Sequence, residues 1–288
     1  MMPEIADPVI LSQKHADMLD RFLIPRATGS LVLLSNSRLG GLEDHGRIFQ
    51  GTYAAYRDGD EITGVAAHYW NGMVFFQAPE NASRLFDAVV AATGRECTGI
   101  AGPYGQVQGV LPGLLKKKGN PAMNSRDTLY SLNLDALAVP DLLKRSDVTC
   151  RHPADDEIPA MIDLRIAFMK ELMGPDMRAS REDEARETVR YQQQTNNHWI
   201  LETAGKIVAT TAISAGTPEV VQIGGVYTIP GYRNRGYGRA VVAGSLLDAR
   251  TRNVKKAILF TGTDMPAAQK MYRALGFRQI GEYGLVIY

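Results

Sequence analysis

The sequence predicts an α+β protein of two domains, and three observations carry this prediction. The chain has 288 residues, about twice the length of an average domain. Short apolar segments of strand length alternate with amphipathic helical segments in both halves. Hairpin turns join several of the strands, which favours a mixed, mostly antiparallel sheet flanked by helices. We expect one domain at residues 1–145 and a second at 146–288.

In the second domain, a strand at Val148–Arg151 precedes a helix marked by apolar residues from Ile158 to Met169. Gly174-Pro175 ends that helix, and Ser180 with the acidic residues after it begins another, through about Gln193. The later predicted elements are strands at His198–Glu202, Lys206–Ser214 and Val220–Thr228, a helix at Gly238–Arg250, a strand at Ala257–Phe260, a helix at Ala267–Leu275, and strands at Arg278–Gly281 and Leu285–Tyr288.

The first domain has a similar pattern. Its predicted elements are a helix at Lys14–Phe22, strands at Leu31–Ser35, Ile48–Tyr56, Gly64–Tyr69 and Met73–Gln77, a helix at Ser83–Ala92, a strand at Cys97–Ala101, a helix at Gln106–Lys117 and a strand at Thr128–Leu134. Its hairpin, helix, strand, helix and strand repeat the order that follows Lys206. We therefore suspect a structural duplication, although no clear sequence repeat accompanies it.

Composition excludes several classes of function. Lys and Arg total 32 against 31 Asp and Glu, so the chain has no strong field for nucleic acid or an anionic membrane. Cys97 and Cys150 lie far apart without the spacing of metal ligands, and no secretory signal opens the chain. No apolar run reaches the roughly 18 residues of a membrane span. We expect a soluble, cytoplasmic protein without a bound metal.

The most informative stretch runs from Val226 to Arg239, between a predicted strand and a predicted helix. A helix N-terminus presents unpaired N–H groups and the positive end of the dipole, which suit a pyrophosphate. Gly236 and Gly238 permit close approach of a ligand, and the neighbouring arginines add positive charge. A solvated turn is the alternative interpretation. A dinucleotide fingerprint and a Walker loop are disfavoured, because Val241 and Tyr237 occupy positions that those motifs reserve for other residues.

Here the chain resembles the GNAT superfamily of N-acetyltransferases. Arg233, Gly236 and Gly238 match the pyrophosphate loop of that family, and Tyr272-Arg273-Ala274-Leu275-Gly276-Phe277 resembles its later Tyr-x-x-x-Gly-Phe segment. The resemblance covers about half of the chain and implies a tandem GNAT-like architecture, with a degenerate first copy. It also implies acetyl-CoA as cosubstrate and an amine as acceptor.

The resemblance implies roles for individual residues. The backbone of Val226, Tyr227 and Thr228 would pair with the pantetheine arm, and the Val226 amide would polarise the thioester carbonyl. The pyrophosphate would lie on the loop and the first helical turn, on Arg233, Asn234, Arg235, Gly236, Tyr237, Gly238 and Arg239.

Tyr272 would protonate the departing thiolate. Packing on an apolar helix face is its alternative role. Gly276 would cap the helix and Phe277 would anchor it in the core. The family often has Asn just before this helix, whereas Asp264 and Met265 stand here, so no residue of this chain matches that cofactor contact.

The sequence does not identify a general base. Glu219 is more typical of a solvated turn, Gln222 could orient a water, and His198 receives no role. The first domain has Ala78-Pro79-Glu80-Asn81-Ala82 where a second loop would lie, and a carboxylate there opposes a pyrophosphate. The leading hypothesis is an N-acetyltransferase that works by direct attack. A non-catalytic acyl-CoA sensor and a transferase of longer acyl groups are the alternatives.

Overall fold

The structure is a computed structural model that describes residues 7–174 and 179–288. The chain divides into two compact units. The first comprises Met1–Leu129 and Ile280–Tyr288, and the second comprises Tyr130–Gln279. These units differ from the continuous segments 1–145 and 146–288 suggested by the sequence. The divisions after Leu129 and after Gln279 each fall inside a strand, and the last residues of the chain belong to the first unit.

The described elements up to residue 133 are six strands and four α-helices. In chain order they are β1 (Val9–Ile10), α1 (Ala16–Leu23), α2 (Ala27–Gly40), β2 (Gly51–Asp58), β3 (Glu61–Tyr69), β4 (Met73–Gln77), α3 (Ala82–Thr93), β5 (Gly99–Pro103), α4 (Tyr104–Lys118) and β6 (Met123–Asn133).

The later elements follow the sequence prediction closely. They are β7 (Val148–Arg151), α5 (Ile158–Met173), α6 (Ala179–Gln194), β8 (His198–Thr203), β9 (Lys206–Gly216), β10 (Val220–Thr228), α7 (Tyr237–Thr251), β11 (Lys256–Gly262), α8 (Pro266–Ala274) and β12 (Arg278–Ile287). Pro175, part of the predicted end of α5, lies outside the described residues. Within the described ranges, no helix is long and apolar enough to cross a membrane.

Each unit contains a mixed sheet. Strands of the first unit lie in the order β1-β2-β3-β4-β5-β12, and those of the second lie in the order β11-β10-β9-β8-β7, with β6, which belongs in part to each unit, beside β11. Pairs β4–β5 and β10–β11 are parallel. Pairs β1–β2, β2–β3, β3–β4, β5–β12, β7–β8, β8–β9 and β9–β10 are antiparallel. The predicted α+β class with mostly antiparallel sheets is confirmed.

The two units share one order of elements. Residues 9–118 and 148–274 each run strand, helix, helix, three strands, helix, strand, helix. The parallel pair occupies the same place in both series, between the fourth and fifth strands. This agreement supports the structural duplication predicted from the order of elements.

Two predicted elements were wrong. The predicted strand Leu31–Ser35 lies inside helix α2, whose Leu33 and Leu34 are buried in a cluster with Leu19 of α1. A short apolar run does not by itself distinguish a strand from a buried helix turn.

The two predicted closing strands form the single strand β12. Gly284 does not turn the chain there. Instead it lets the strand approach α4, where a Cβ on this glycine would lie 2.9 Å from the Cβ of Val107.

In the second unit, helices cover both faces of the sheet formed by β8, β9 and β10. Helix α7 buries Val241, Val242 and Leu246 in a core that also contains Trp199 and Leu201 of β8. Helices α5 and α6 pack on the opposite face, in a cluster that includes Ile200. Because neighbouring residues of a strand point to opposite faces, β8 contributes to both layers. The packing of α7 on this sheet holds the start of the helix near the end of β10.

Candidate functional site

The connection from β10 to α7 has an unusual backbone. It contains a 3-10 turn at Pro230–Tyr232, followed by positive φ angles of 62° at Asn234 and 81° at Gly236. Asn and Gly are the residues that adopt this left-handed region at least cost. Gly236 is the N-cap of α7, and no side chain among the described residues caps that end. The first turn of α7 therefore presents its N–H groups without a capping side chain.

The N–H groups in question belong to Tyr237, Gly238 and Arg239. The first backbone bond within this helix is donated by Ala240 to the carbonyl of Gly236, at 3.0 Å, so the three preceding amides have no partner inside the helix. A Cβ on Gly238 would lie 3.0 Å from Thr228 Oγ1 and 3.3 Å from Met271 Sδ. The glycine is needed for close packing against β10 and α8. The helix end is suited to an anion.

The three arginines of this loop have different surroundings. Arg233 donates to the carbonyl of Thr228 at 3.1 Å and to Glu171 Oε2 at 2.7 Å, so its charge is compensated by a carboxylate of α5. Arg235 is exposed and lies over the Tyr232 ring. Arg239 is half-buried, and its Nε has no hydrogen-bond partner within the described part of the chain. Arg235 and Arg239 are thus the loop cations without a paired carboxylate among the described residues.

Strand β10 separates from β11 after its first three residues. The parallel register runs from Val220 opposite Lys256 to Gln222 opposite Ile258 and ends there. On its other edge, β10 stays paired with β9 through Thr228 opposite Ala209. The later parts of β10 and β11 are therefore not paired with each other, and the predicted pantetheine segment, residues 226–228, lies in this unpaired part of β10. Backbone groups on the β11 side of this segment can pair with a ligand.

Val226 lies within an irregularity of β10. The register with β9 shifts between Gly224 and Tyr227, so that two residues of β10 oppose one residue of β9. Gly225 takes a φ of 60° in this bulge. A β-bulge bends the strand and redirects backbone groups. The bulge therefore accounts for the divergence of the strand at the position where the thioester is expected.

Tyr272 lies on α8 within the core of the second unit. Its side chain is buried, and its ring lies 5.9 Å from Phe277 and 6.4 Å from Tyr130. Burial raises the pKa of the Tyr272 phenol well above its usual value. The phenol therefore stays protonated at neutral pH, which is the state required of a proton donor.

The residues after Tyr272 have structural roles. Gly276 follows the C-cap residue Leu275 with a φ of 99°, and Phe277 is buried in the core. A left-handed glycine just past a helix end is a common way to terminate a helix. Met265 is the N-cap of α8 and is exposed, where the resemblance would lead one to expect an asparagine.

The two residues weighed for acceptor chemistry from the sequence lie in different surroundings. Glu219 is exposed in the turn before β10, and its carbonyl accepts bonds from the amides of Lys255 and Lys256. Gln222 is buried and donates to Ser214 Oγ at 3.0 Å. The turn assignment for Glu219 agrees with the sequence interpretation.

A cavity in the second unit was not anticipated from the sequence. It lies among α5, α6, β8, β9 and β10. Its polar lining comes from Arg165, Gln192, His198, Thr210 and Tyr227, with Phe168 among the apolar residues. These side chains come from distant points of the chain. No local motif marks them.

His198, to which the sequence gave no role, is a neutral base in the wall of this cavity. Burial and the nearby Arg165 and His152 lower the pKa of His198 to about 4. Its Nε2 lies 2.6 Å from Thr210 Oγ1, and that hydroxyl donates to the carbonyl of Trp199. Since a hydroxyl has one proton, Nε2 must carry the imidazole proton and donate to Thr210. The lone pair is therefore on Nδ1, which is buried and has no partner among the described residues.

The corresponding connection in the first unit differs from the loop before α7. Between β4 and α3, the amide of Ala78 donates to Gln106 Oε1 at 2.7 Å, and Tyr56 donates to the carbonyl of Asn81. Glu80 is exposed. The Gln106 side chain thus already binds the start of this connection, and the Glu80 carboxylate within it would repel a phosphate.

Comparison with known proteins finds a family match within the second unit. Residues 166–277 match the model of the acetyltransferase (GNAT) family. No curated protein matches the sequence.

Solved structures with the same fold cover nearly the whole chain. A Drosophila protein is similar with a TM-score of 0.68 and 14% identity, over 98% of this chain and 99% of its own. A tandem GNAT protein from the clavulanic acid biosynthesis pathway has a TM-score of 0.57 at 12% identity, over 98% of both chains. A GNAT-family acetyltransferase from Colwellia psychrerythraea has a TM-score of 0.56 at 13% identity, over 98% of this chain and 100% of its own.

Proposed function

We propose that this chain, an acyltransferase with a GNAT-family domain at residues 166–277, transfers an acetyl group from acetyl-CoA to an amine. The family match supports acyl transfer in general. The choice of donor and acceptor is our proposal, and it rests on the site in the second unit.

One observation carries the proposal: the start of α7, which no described side chain caps, follows the part of β10 that is not paired with β11. A pyrophosphate on the amides of Tyr237, Gly238 and Arg239 would be held by the helix end. From there, a pantetheine arm would extend along Val226, Tyr227 and Thr228, which have no partner in β11. Acetyl-CoA combines these two parts in one molecule.

The proposed chemistry is direct attack. The amine nitrogen forms a bond to the acetyl carbonyl carbon, and the carbon–sulfur bond breaks. The Val226 amide would donate to the carbonyl oxygen as negative charge develops there. The thiolate of coenzyme A would take a proton from Tyr272, and the nitrogen would lose its extra proton to a base or to water.

The first unit would be a degenerate copy of the same fold. Its β4–α3 connection lacks paired glycines and carries Glu80. We therefore assign acetyl-CoA to the second unit alone.

Two alternatives predict different results in the same assay. A non-catalytic sensor would bind acetyl-CoA without releasing free thiol in the presence of amines. A transferase of longer acyl groups would release thiol faster from a longer acyl-CoA than from acetyl-CoA.

The test is a titration of acetyl-CoA into the full chain, followed by thiol detection with a panel of primary amines. We expect binding and amine-dependent thiol release, with acetyl-CoA preferred over longer acyl donors. Absence of acetyl-CoA binding by the folded protein would overturn the proposed function.

A further inference from the structure

The cavity beside β10 is lined by two residues that each have one buried nitrogen without a hydrogen-bond partner among the described residues. The Nε atom of Arg165 is buried and forms no hydrogen bond with any described residue. The Nδ1 atom of His198 is also buried and also forms no hydrogen bond with any described residue. Burying a guanidinium or an imidazole nitrogen unpaired destabilises a protein unless a ligand or water completes it. Both residues line one cavity, so a single ligand can satisfy both.

The guanidinium lies next to the expected reaction centre. A Cβ built on Gly225 would lie 2.9 Å from Arg165 Nη1, so this glycine leaves room for the arginine. Gly225 directly precedes Val226, the residue whose amide is proposed to hold the thioester oxygen. A group bound by Arg165 is therefore anchored beside the carbonyl under attack.

The charges around the cavity favour an anion. The nearby acidic group that acts on Arg165 is Glu184, and it is itself paired with Arg181 at 2.9 Å. His198 is neutral at pH 7, because its pKa is about 4, and Gln192, Thr210 and Tyr227 are uncharged neighbours. Arg165 is thus the main charge in the lining, and a carboxylate matches the fork of a guanidinium.

We propose that the acceptor is an amine that also carries a carboxylate, which Arg165 binds while Nδ1 of His198 accepts a hydrogen bond from the amine. This inference rests on the proposed acetyl transfer and specifies its substrate class. The expected occupant is the carboxylate end of a small amino acid or a similar compound, placed against Arg165 and His198. Arg165 and His198 position the acceptor for attack.

The test compares acceptors that differ only in the carboxylate. Each set contains an amino acid, its amide and the corresponding decarboxylated amine, for example alanine, alaninamide and ethylamine. Thiol release from acetyl-CoA is measured for several such sets, and binding of acetyl-CoA is measured separately by calorimetry. We expect at least one amino acid to have a kcat/KM at least about 30-fold above those of its two partners, the scale for loss of one partner of a buried charge pair.

Arg165→Met should remove that preference. The variant keeps most of the volume of the side chain, and we expect its kcat/KM for the amino acid to fall to the level of the amide, with acetyl-CoA affinity unchanged within about threefold. The variant removes a buried charge whose Nε has no hydrogen-bond partner among the described residues, and the methionine can keep a contact with the Phe168 ring, so the thermal midpoint should stay equal or rise. Arg190→Met removes an exposed arginine of α6. This control should change neither the preference for the amino acid nor the affinity for acetyl-CoA.

A second variant addresses His198. In His198→Phe the ring remains and Nδ1 is lost, so KM for the amino acid should rise while acetyl-CoA binding is kept. Thr210→Val serves as the comparison, because it removes the group that fixes the imidazole proton on Nε2 and should weaken acceptor use to a smaller extent.

The outcomes separate this inference from the proposed function. If acetyl-CoA binds but amines without a carboxylate are acetylated equally well, the inference is wrong and acetyl transfer stands. If acetyl-CoA binds and no carboxylate in the panel is acetylated or binds, the inference is also wrong. A lower thermal midpoint with unchanged acceptor preference in Arg165→Met would likewise contradict it. If the folded protein does not bind acetyl-CoA at all, the proposed function itself is wrong.

Discussion

At the scale of single residues, the environment of a side chain determines the chemistry available to it. Tyr272 is buried among rings, and its raised pKa keeps the phenol protonated. His198 is buried beside a cation, and its lowered pKa keeps the imidazole neutral. Burial disfavours the charged form in both cases. One residue is therefore available as a proton donor and the other as a hydrogen-bond acceptor at neutral pH.

Tyr272→Phe should lower turnover by roughly 10²-fold, because it removes the proton donor for the thiolate and keeps the ring. Affinity for acetyl-CoA should stay nearly constant. The measurement is steady-state turnover with an accepted amine under conditions where product release is not limiting. Tyr130→Phe is the matched control, since its hydroxyl is buried without a partner in the described part of the chain. Equal turnover in Tyr272→Phe and the parent would show that Tyr272 only packs.

His198 should make the free energy of unfolding depend on pH. Its pKa is about 4 when folded and 6.5 in the reference state, so the unfolded chain binds a proton at higher pH than the folded chain. The stabilisation is fully present above pH 6.5 and is lost as the pH falls through 4. It amounts to about 3 kcal/mol. Denaturant unfolding of the parent and of His198→Gln between pH 7 and 4 measures the difference. Parallel pH dependences in the two proteins would refute this assignment.

Sequence reasoning located the loop but not the cavity, and the reason is sequence separation. Arg233, Gly236 and Gly238 lie within six positions of one another, so their pattern is visible in the chain itself. Arg165, His198 and Gly225 lie on α5, β8 and β10, and only folding brings them together. A lone arginine on an amphipathic helix gives no signal before the fold is known.

At the scale of elements, the second unit was predicted well because each element carries a local signal. Strand β10 has the predicted limits, and helix α7 begins one residue before the predicted start. Failures came where the signal was ambiguous. The apolar run in α2 suits either secondary structure, and β12 continues through the gap predicted between Gly281 and Leu285.

Gly236→Glu should weaken binding of acetyl-CoA by about 10²-fold, because a carboxylate replaces open space where phosphate oxygens would approach the amides of α7. Calorimetric titration of the full chain measures the effect. Two controls separate the causes. Gly236→Ala gives only the strain of a side chain at positive φ, about 1–3 kcal/mol of folding stability. Gly231→Glu adds the same charge at a position with nothing within 4 Å. If Gly236→Glu binds acetyl-CoA no more weakly than Gly231→Glu, the pyrophosphate does not lie on this helix end.

At the scale of the whole molecule, two units of the same element order are built from one chain. The last residues of the chain belong to the first unit, where β12 pairs with β5 and Val286 stands opposite Ile100. A division of the chain into two continuous segments does not include this arrangement. Strand pairing between residues far apart leaves no periodic signal in the sequence.

Val286→Ala should destabilise the first unit by about 1–3 kcal/mol, since it leaves a cavity in a core where Val286 is fully buried. Hydrogen exchange of the amides of β5 measures the loss, and the exchange of amides in α7 should change little. Ile280→Ala, at a half-exposed position of the same strand, is the control. Unchanged protection of β5 in Val286→Ala would contradict the assignment of this strand to the first unit.

The central claim is that acetyl-CoA binds in the second unit, between the divergent part of β10 and the N-terminus of α7. Amide hydrogen exchange of the full chain, with and without saturating acetyl-CoA, tests it most directly. We expect added protection at residues 226–228 and 237–239, and none at residues 78–82 in the first unit. Added protection at 78–82 with no change at the start of α7 would contradict the account.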